Sequence, residues 1–185
     1  NLANDPMDTE LVKRSPSDRA DPNPHNSYFD LPMISRDGKY FAANNRRTMT
    51  TQIYEITENS KRLVAALGVE TGKVSFAPQR AGSGDILIAF HVDQIDPAEG
   101  DKMSGVHDGM TKDIVVQRLI EKRNPRGEIV FDNGLVVRVT DARHMGDGNY
   151  YPKWINEHEL IYIESRNFNQ QTFVKVDVDK IQLRS

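Results

Sequence analysis

Three kinds of side chain in this sequence have the chemistry to form a site: five histidines, a few turn-placed serines, and a run of acids between residues 92 and 112. A transition metal needs imidazoles gathered at short spacings such as HxxxH or HExxH. His91, His107, His144 and His158 fall in separate segments with no such spacing, and His25 lies between Pro24 and Asn26 in a polar stretch that reads as solvated. The acids Asp93, Asp96, Glu99, Asp101 and Asp108 offer hard oxygen ligands suited to Ca²⁺, with Asp96, Glu99 and Asp101 closest together. They do not follow the EF-hand spacing, so the plainer reading of the segment is a solvated interaction loop. Ser35, Ser75 and Ser83 lack a GxSxG context and read as turn serines. Arg46-Arg47 reads as a solvated turn rather than an anion site. No catalytic constellation emerges.

The composition narrows the classes further. The chain has 185 residues and a formal net charge of −3, with both signs interspersed, which gives no nucleic-acid footprint. Apolar runs are short, none approaching the roughly 18 residues that span a bilayer as a helix. The absence of cysteine excludes disulfides, thiolate metal sites, cysteine catalysis and haem attached through CxxCH. The first residue is Asn1, which fits either removal of a signal peptide or a fragment.

The elements that must position any site are short strands in a repeating order. Residues 1–27 are rich in Pro, Asp and Asn and poor in apolar groups, so they read as an extended polar arm. Three repeats follow, at about 28–67, 68–123 and 124–185, and the second carries an inserted loop at about 92–112. The first has a hairpin signal at Asp37-Gly38, because glycine takes φ > 0 without steric cost. Strands are expected over 39–43, 52–56, 86–90, 113–119, 135–140, 160–165 and 172–178. A strand is preferred to a helix over 61–67, and turns are expected at Pro125-Arg126-Gly127 and Asp132-Asn133-Gly134. The register between repeats comes from spacing. Gly38 to Gln52 is 14 residues, Glu157 to Thr172 is 15, and Gly84 to Asp113 is 29, the excess lying in the insertion. In this register Ile34, Phe76 and Trp154 are equivalent core positions. A period of several short strands in about 42–62 residues falls where propeller blades fall.

The stretch PMISRDGKYFA at 32–42 resembles the TolB-like, WD40-like (PD40) β-propeller repeat. In that family a serine-proline-aspartate-glycine-lysine turn leads to an apolar strand and then to a strand similar to aspartate-isoleucine-tyrosine. Gln52-Ile53-Tyr54, Asp113-Ile114-Val115 and Thr172-Phe173-Val174 take that last place, and Tyr151-Pro152-Lys153-Trp154 is similar to the link between blades. Asp37, Gly38, Pro152 and Trp154 are thus the structural anchors of the repeat. Ser35-Arg36 lacks the family's proline, residues 77–79 lack Asp-Gly, and residues 155–158 lack the turn glycine.

The resemblance implies an all-β fold, a partial propeller of about three four-stranded antiparallel blades behind the arm. Blades bury their faces only against other blades, and closed rings hold about 4 to 8 of them. The expectation is a non-catalytic binding or scaffold subunit, completed by other subunits or a second copy, in a periplasmic or extracellular complex. No cofactor is expected beyond possible Ca²⁺ in the insertion. The alternative is a propeller piece of an enzyme, such as a prolyl-oligopeptidase-like peptidase or a propeller lyase.

Overall fold

A computed structural model describes residues 29–46, 48–58, 60–78, 84–93, 111–142, 147–166 and 170–181. These form eleven strands and one 3-10 turn, so the fold is all-β. The strands are β1 (Phe29–Ile34), β2 (Tyr40–Asn45), β3 (Thr50–Ile56), β4 (Lys61–Ala66), β5 (Ser75–Phe76) and β6 (Ile86–Asp93). Then follow β7 (Lys112–Arg123), β8 (Ile129–Arg138), β9 (Gly148–Trp154), β10 (Glu159–Arg166) and β11 (Gln170–Asp177), with the 3-10 turn at Val178–Lys180. The arm and most of the insertion, with Asp96, Glu99 and Asp101, lie outside the described residues.

Strands β1 to β4 form one antiparallel sheet in chain order. The rest form a mixed sheet of seven strands. Within it β5 to β8 pair in sequence, as do β9 to β11, and one parallel pair, Lys112 with Gly148, joins the two groups. The described residues therefore form three consecutive antiparallel meanders of four, four and three strands. Because β8 pairs with β7, the second meander extends through Arg138.

Side-chain alternation along β6 and β7 explains how the meanders pack. Ile86, Ile88, Phe90 and Val92 of β6, with Val115 and Leu119 of β7, form one core with Tyr40, Ala42, Ile53 and Val64 of the first meander. Ala89 and Val116, on the opposite face, pack with Trp154, Leu160 and Val178 of the third. The middle meander is thus covered on both faces, and Ile88, Ala89 and Phe90 are fully buried. A smaller core of Phe41, Ala43 and Tyr54 lies on the far face of the first meander. There Phe41 and Tyr54 stack with ring centroids 5.0 Å apart.

Two buried polar networks fix the crossovers between meanders. After β4, the Thr51 hydroxyl donates to Asn44 Oδ1 (2.5 Å) and accepts from the Thr71 N–H (2.9 Å), while Asn44 Nδ2 donates to the Thr71 carbonyl (2.7 Å). After β8, the fully buried Asp113 accepts from Arg138, from the Thr140 hydroxyl (2.8 Å) and from the Ala142 N–H (2.8 Å). Each network satisfies polar groups that would otherwise be costly to bury.

The segment at 61–66 is a strand, as expected, but two expectations are corrected. Asp132-Asn133-Gly134 does not turn the chain. It lies inside β8, where the register slips between Gln117 and Leu119. A side chain at Gly134 would meet the Arg118 carbonyl at 2.7 Å, so glycine serves a bulge that presses backbone on backbone. Ile34, expected in the core beside Phe76 and Trp154, is 64% exposed. It ends β1, which is an edge strand among the described residues, whereas β9 is flanked by β10 and β7.

Candidate binding cleft where the meanders meet

The first strands of the three meanders converge on one cleft, and tight turns follow the first and the third of them. At the first turn the Ser35 hydroxyl donates to Asp37 (2.6 Å) and accepts from the Tyr40 N–H (2.9 Å). Asp37 also accepts from the Lys39 N–H (3.0 Å), and Gly38 takes φ +72°. Partial burial raises the Asp37 carboxyl, but these hydrogen bonds outweigh it and hold the group below its ordinary range. At the third turn Asn156 Oδ1 accepts from the N–H groups of His158 (2.8 Å) and Glu159 (2.9 Å). Ile34 pairs with Phe41 and Trp154 with Leu160, so this turn is one residue shorter than the first. That shorter geometry explains why it needs no glycine.

Of the four expected anchors, Asp37 and Gly38 shape the exposed turn, while Pro152 and Trp154 are buried in β9. The Trp154 backbone N–H donates to the Ser75 hydroxyl at 3.0 Å, tying β9 to β5. Ser75 is therefore a strand residue linking two meanders rather than a turn serine.

A cleft of about 380 Å³ opens between these strands. Ile34 and Arg36 come from the first meander, Val74 and Phe76 from the second, and Lys153 and Trp154 from the third. The three positions matched by sequence spacing thus share one cleft, including Ile34 at its exposed rim. Spacing gave no indication of Arg36 and Lys153, because a cation in a turn or on a strand looks like an ordinary solvated charge.

Beside the same strands sits His91, only 6% exposed. Its ring meets Tyr150 (5.7 Å between centroids) and Tyr151 (5.4 Å) edge-on, and Nδ1 accepts from the Tyr151 N–H at 3.4 Å. Gly72 lies so close to the ring that a methyl group there would overlap it. Burial, with the Lys112 charge, pushes the His91 pKa down to about 4, so the imidazole is neutral. Lys73 places its ammonium 5.6 Å from the Tyr151 ring centroid. In the repeat register Lys73 and Tyr151 are equivalent positions, so here too matching residues of successive meanders meet. The remaining described histidine, His158, is exposed and pairs with Asp179. His25, His107, His144 and Ser83 lie outside the described residues.

Among the described residues, the outer face of β10 and β11 is open. Phe173 of β11 is 73% exposed, and its registered partner Ile163 on β10 is half-buried. Among the described residues no helix is long and apolar enough to cross a membrane. No protein-family model matches the chain, and no curated protein matches it.

Proposed function

We propose that this chain is a non-catalytic docking or scaffold subunit, part of a β-propeller whose ring is continued by another subunit or a second copy. One comparison carries the reading. Ile53, Ile114 and Phe173 hold the same place on the third strand of each meander, and the first two are fully buried while Phe173 is 73% exposed. Ile53 packs toward the second meander. Ile114 shares a face of β7 with Val116, which packs toward the third. By the same progression Phe173, with Ile163, faces the place of a fourth meander. Covering a phenylalanine contributes about 1.5–3 kcal/mol, enough to make such a face a docking surface.

The occupant is a further antiparallel sheet stacked on β10 and β11, as the second meander stacks on the first. The placement in an exported, periplasmic or extracellular complex is part of this proposal and rests on the resemblance of residues 32–42 to the PD40 repeat. Light scattering of the full chain tests the docking. The expected result is a mass above the 21.0 kDa of one chain, reduced to one chain by Phe173→Glu without a lower unfolding midpoint. A monodisperse 21.0 kDa species that unfolds cooperatively overturns completion by a second copy and leaves a different subunit as the occupant.

A further inference from the structure

The geometry points to a ligand site in the cleft between β1, β5 and β9, one that takes a small organic carboxylate with an apolar body. The charged side chains there are of one sign. Arg36 and Lys153 bring two cations from different meanders, and no carboxylate lines the cleft among the described residues. Guanidinium and ammonium are donors with no acceptor capacity, so the complementary ligand group is an anionic acceptor. Ile34 and Ile155, 64% and 46% exposed, supply an apolar wall over the buried Phe76 and Trp154, and the volume of about 380 Å³ lies in the range of small-molecule sites. A bare inorganic anion would leave that wall uncovered, and a neutral apolar molecule would leave both cations unanswered. A carboxylate on an apolar body satisfies both requirements.

This site is separate from the open face at Phe173 and does not depend on how the sheets are continued. It carries its own reporter, because Trp154 is the sole tryptophan. The test titrates the full chain with phenylacetate, and with phenylacetamide as the neutral isostere, following Trp154 emission and the heat of binding on the same samples. The expected result is a saturable response to phenylacetate at least about tenfold tighter than to the amide, the size of one charge-assisted hydrogen bond. Arg36→Gln and Lys153→Gln should each weaken phenylacetate binding by about fivefold or more without lowering the unfolding midpoint, since both side chains are exposed. Lys153→Glu should abolish the preference for the acid. Equal affinity for acid and amide overturns the inference, and so does the absence of saturable heat and emission change with phenylacetate. Phenylacetate binding that is unaffected in all three variants overturns it as well, by placing the ligand elsewhere.

Discussion

Leu31 and Tyr151 hold the same left-handed backbone, at φ 51° and 52°, and each stands directly before a proline. Each also sits in a bulge. Two residues, Leu31 and Pro32, face the single Ala43 across β1 and β2, and Tyr151 and Pro152 face Tyr162 across β9 and β10. Left-handed backbone costs about 1–2 kcal/mol for a residue with a side chain, so the conformation persists only where its surroundings hold it. Proline suits the second bulge position because it has no N–H to leave unpaired and its φ is already fixed. Pro32→Ala, at an exposed ring, should lower stability by about 0.4–1 kcal/mol through a less restricted unfolded chain. Pro152→Ala should cost more, because its ring is buried. Urea midpoints in the reverse order would show that the two bulges are not held alike.

Trp154 and Ile34 occupy matching repeat positions in opposite surroundings, 6% against 64% exposed. Trp154→Ala should therefore cost roughly 3–5 kcal/mol, the range for removing a large aromatic from a core. Ile34→Ala should stay within about 0.5 kcal/mol, as surface substitutions do. Equal losses would mean that β1 is covered in solution by something that packs on Ile34.

Asp113 is fully buried and collects Arg138, Thr140 and Ala142 at the crossover from β8 to β9. Asp113→Ala leaves those donors without their acceptor. Arg138 is partly exposed and also pairs with Asp141 at 3.2 Å, which limits the loss to roughly 2–4 kcal/mol. Amide exchange should quicken first at Val139, whose N–H donates to the Ile114 carbonyl (2.8 Å) in the same crossover. Exchange that quickens evenly over the whole chain would refute a local tie.

The strands were legible because they alternate, and the turn at Asp37-Gly38 because only glycine takes that φ freely. What escaped was pairing at a distance. Asn133-Gly134 has the composition of a hairpin turn, yet whether it turns or bulges depends on the Arg118 carbonyl opposite it. Asp113 was legible as a strand position but not as the acceptor for donors 25 to 29 residues away. The cleft was half legible. Spacing aligned Ile34, Phe76 and Trp154, but nothing local to Arg36 or Lys153 tells that the fold brings them to one opening. Nothing local marks His91 as buried, because its burial is produced by Gly72 and Tyr151, which are far away in the chain.

The burial of His91 has a pH consequence whose sign can be worked out. In the folded chain its pKa is about 4, and in the unfolded chain it returns to about 6.5. Between those values the unfolded state binds a proton that the folded state refuses. The full stability is therefore present above about pH 6.5 and is lost as the pH falls toward 4, at up to about 1.4 kcal/mol per pH unit and about 3 kcal/mol in all. His91→Gln lacks this titration. Its packing loss should make it less stable than the natural chain at pH 7.5, and the gap should narrow by about 3 kcal/mol by pH 4. The Asp37 and Asp85 carboxyls, held below their ordinary range, release their stabilisation at lower pH and do so alike in both proteins, so the difference isolates His91. Urea unfolding at half-unit steps from pH 7.5 to 4 measures the gap. Two stability curves that stay parallel over that window would mean that His91 reaches solvent in the folded chain and that its contacts with Gly72 and Tyr151 do not hold in solution.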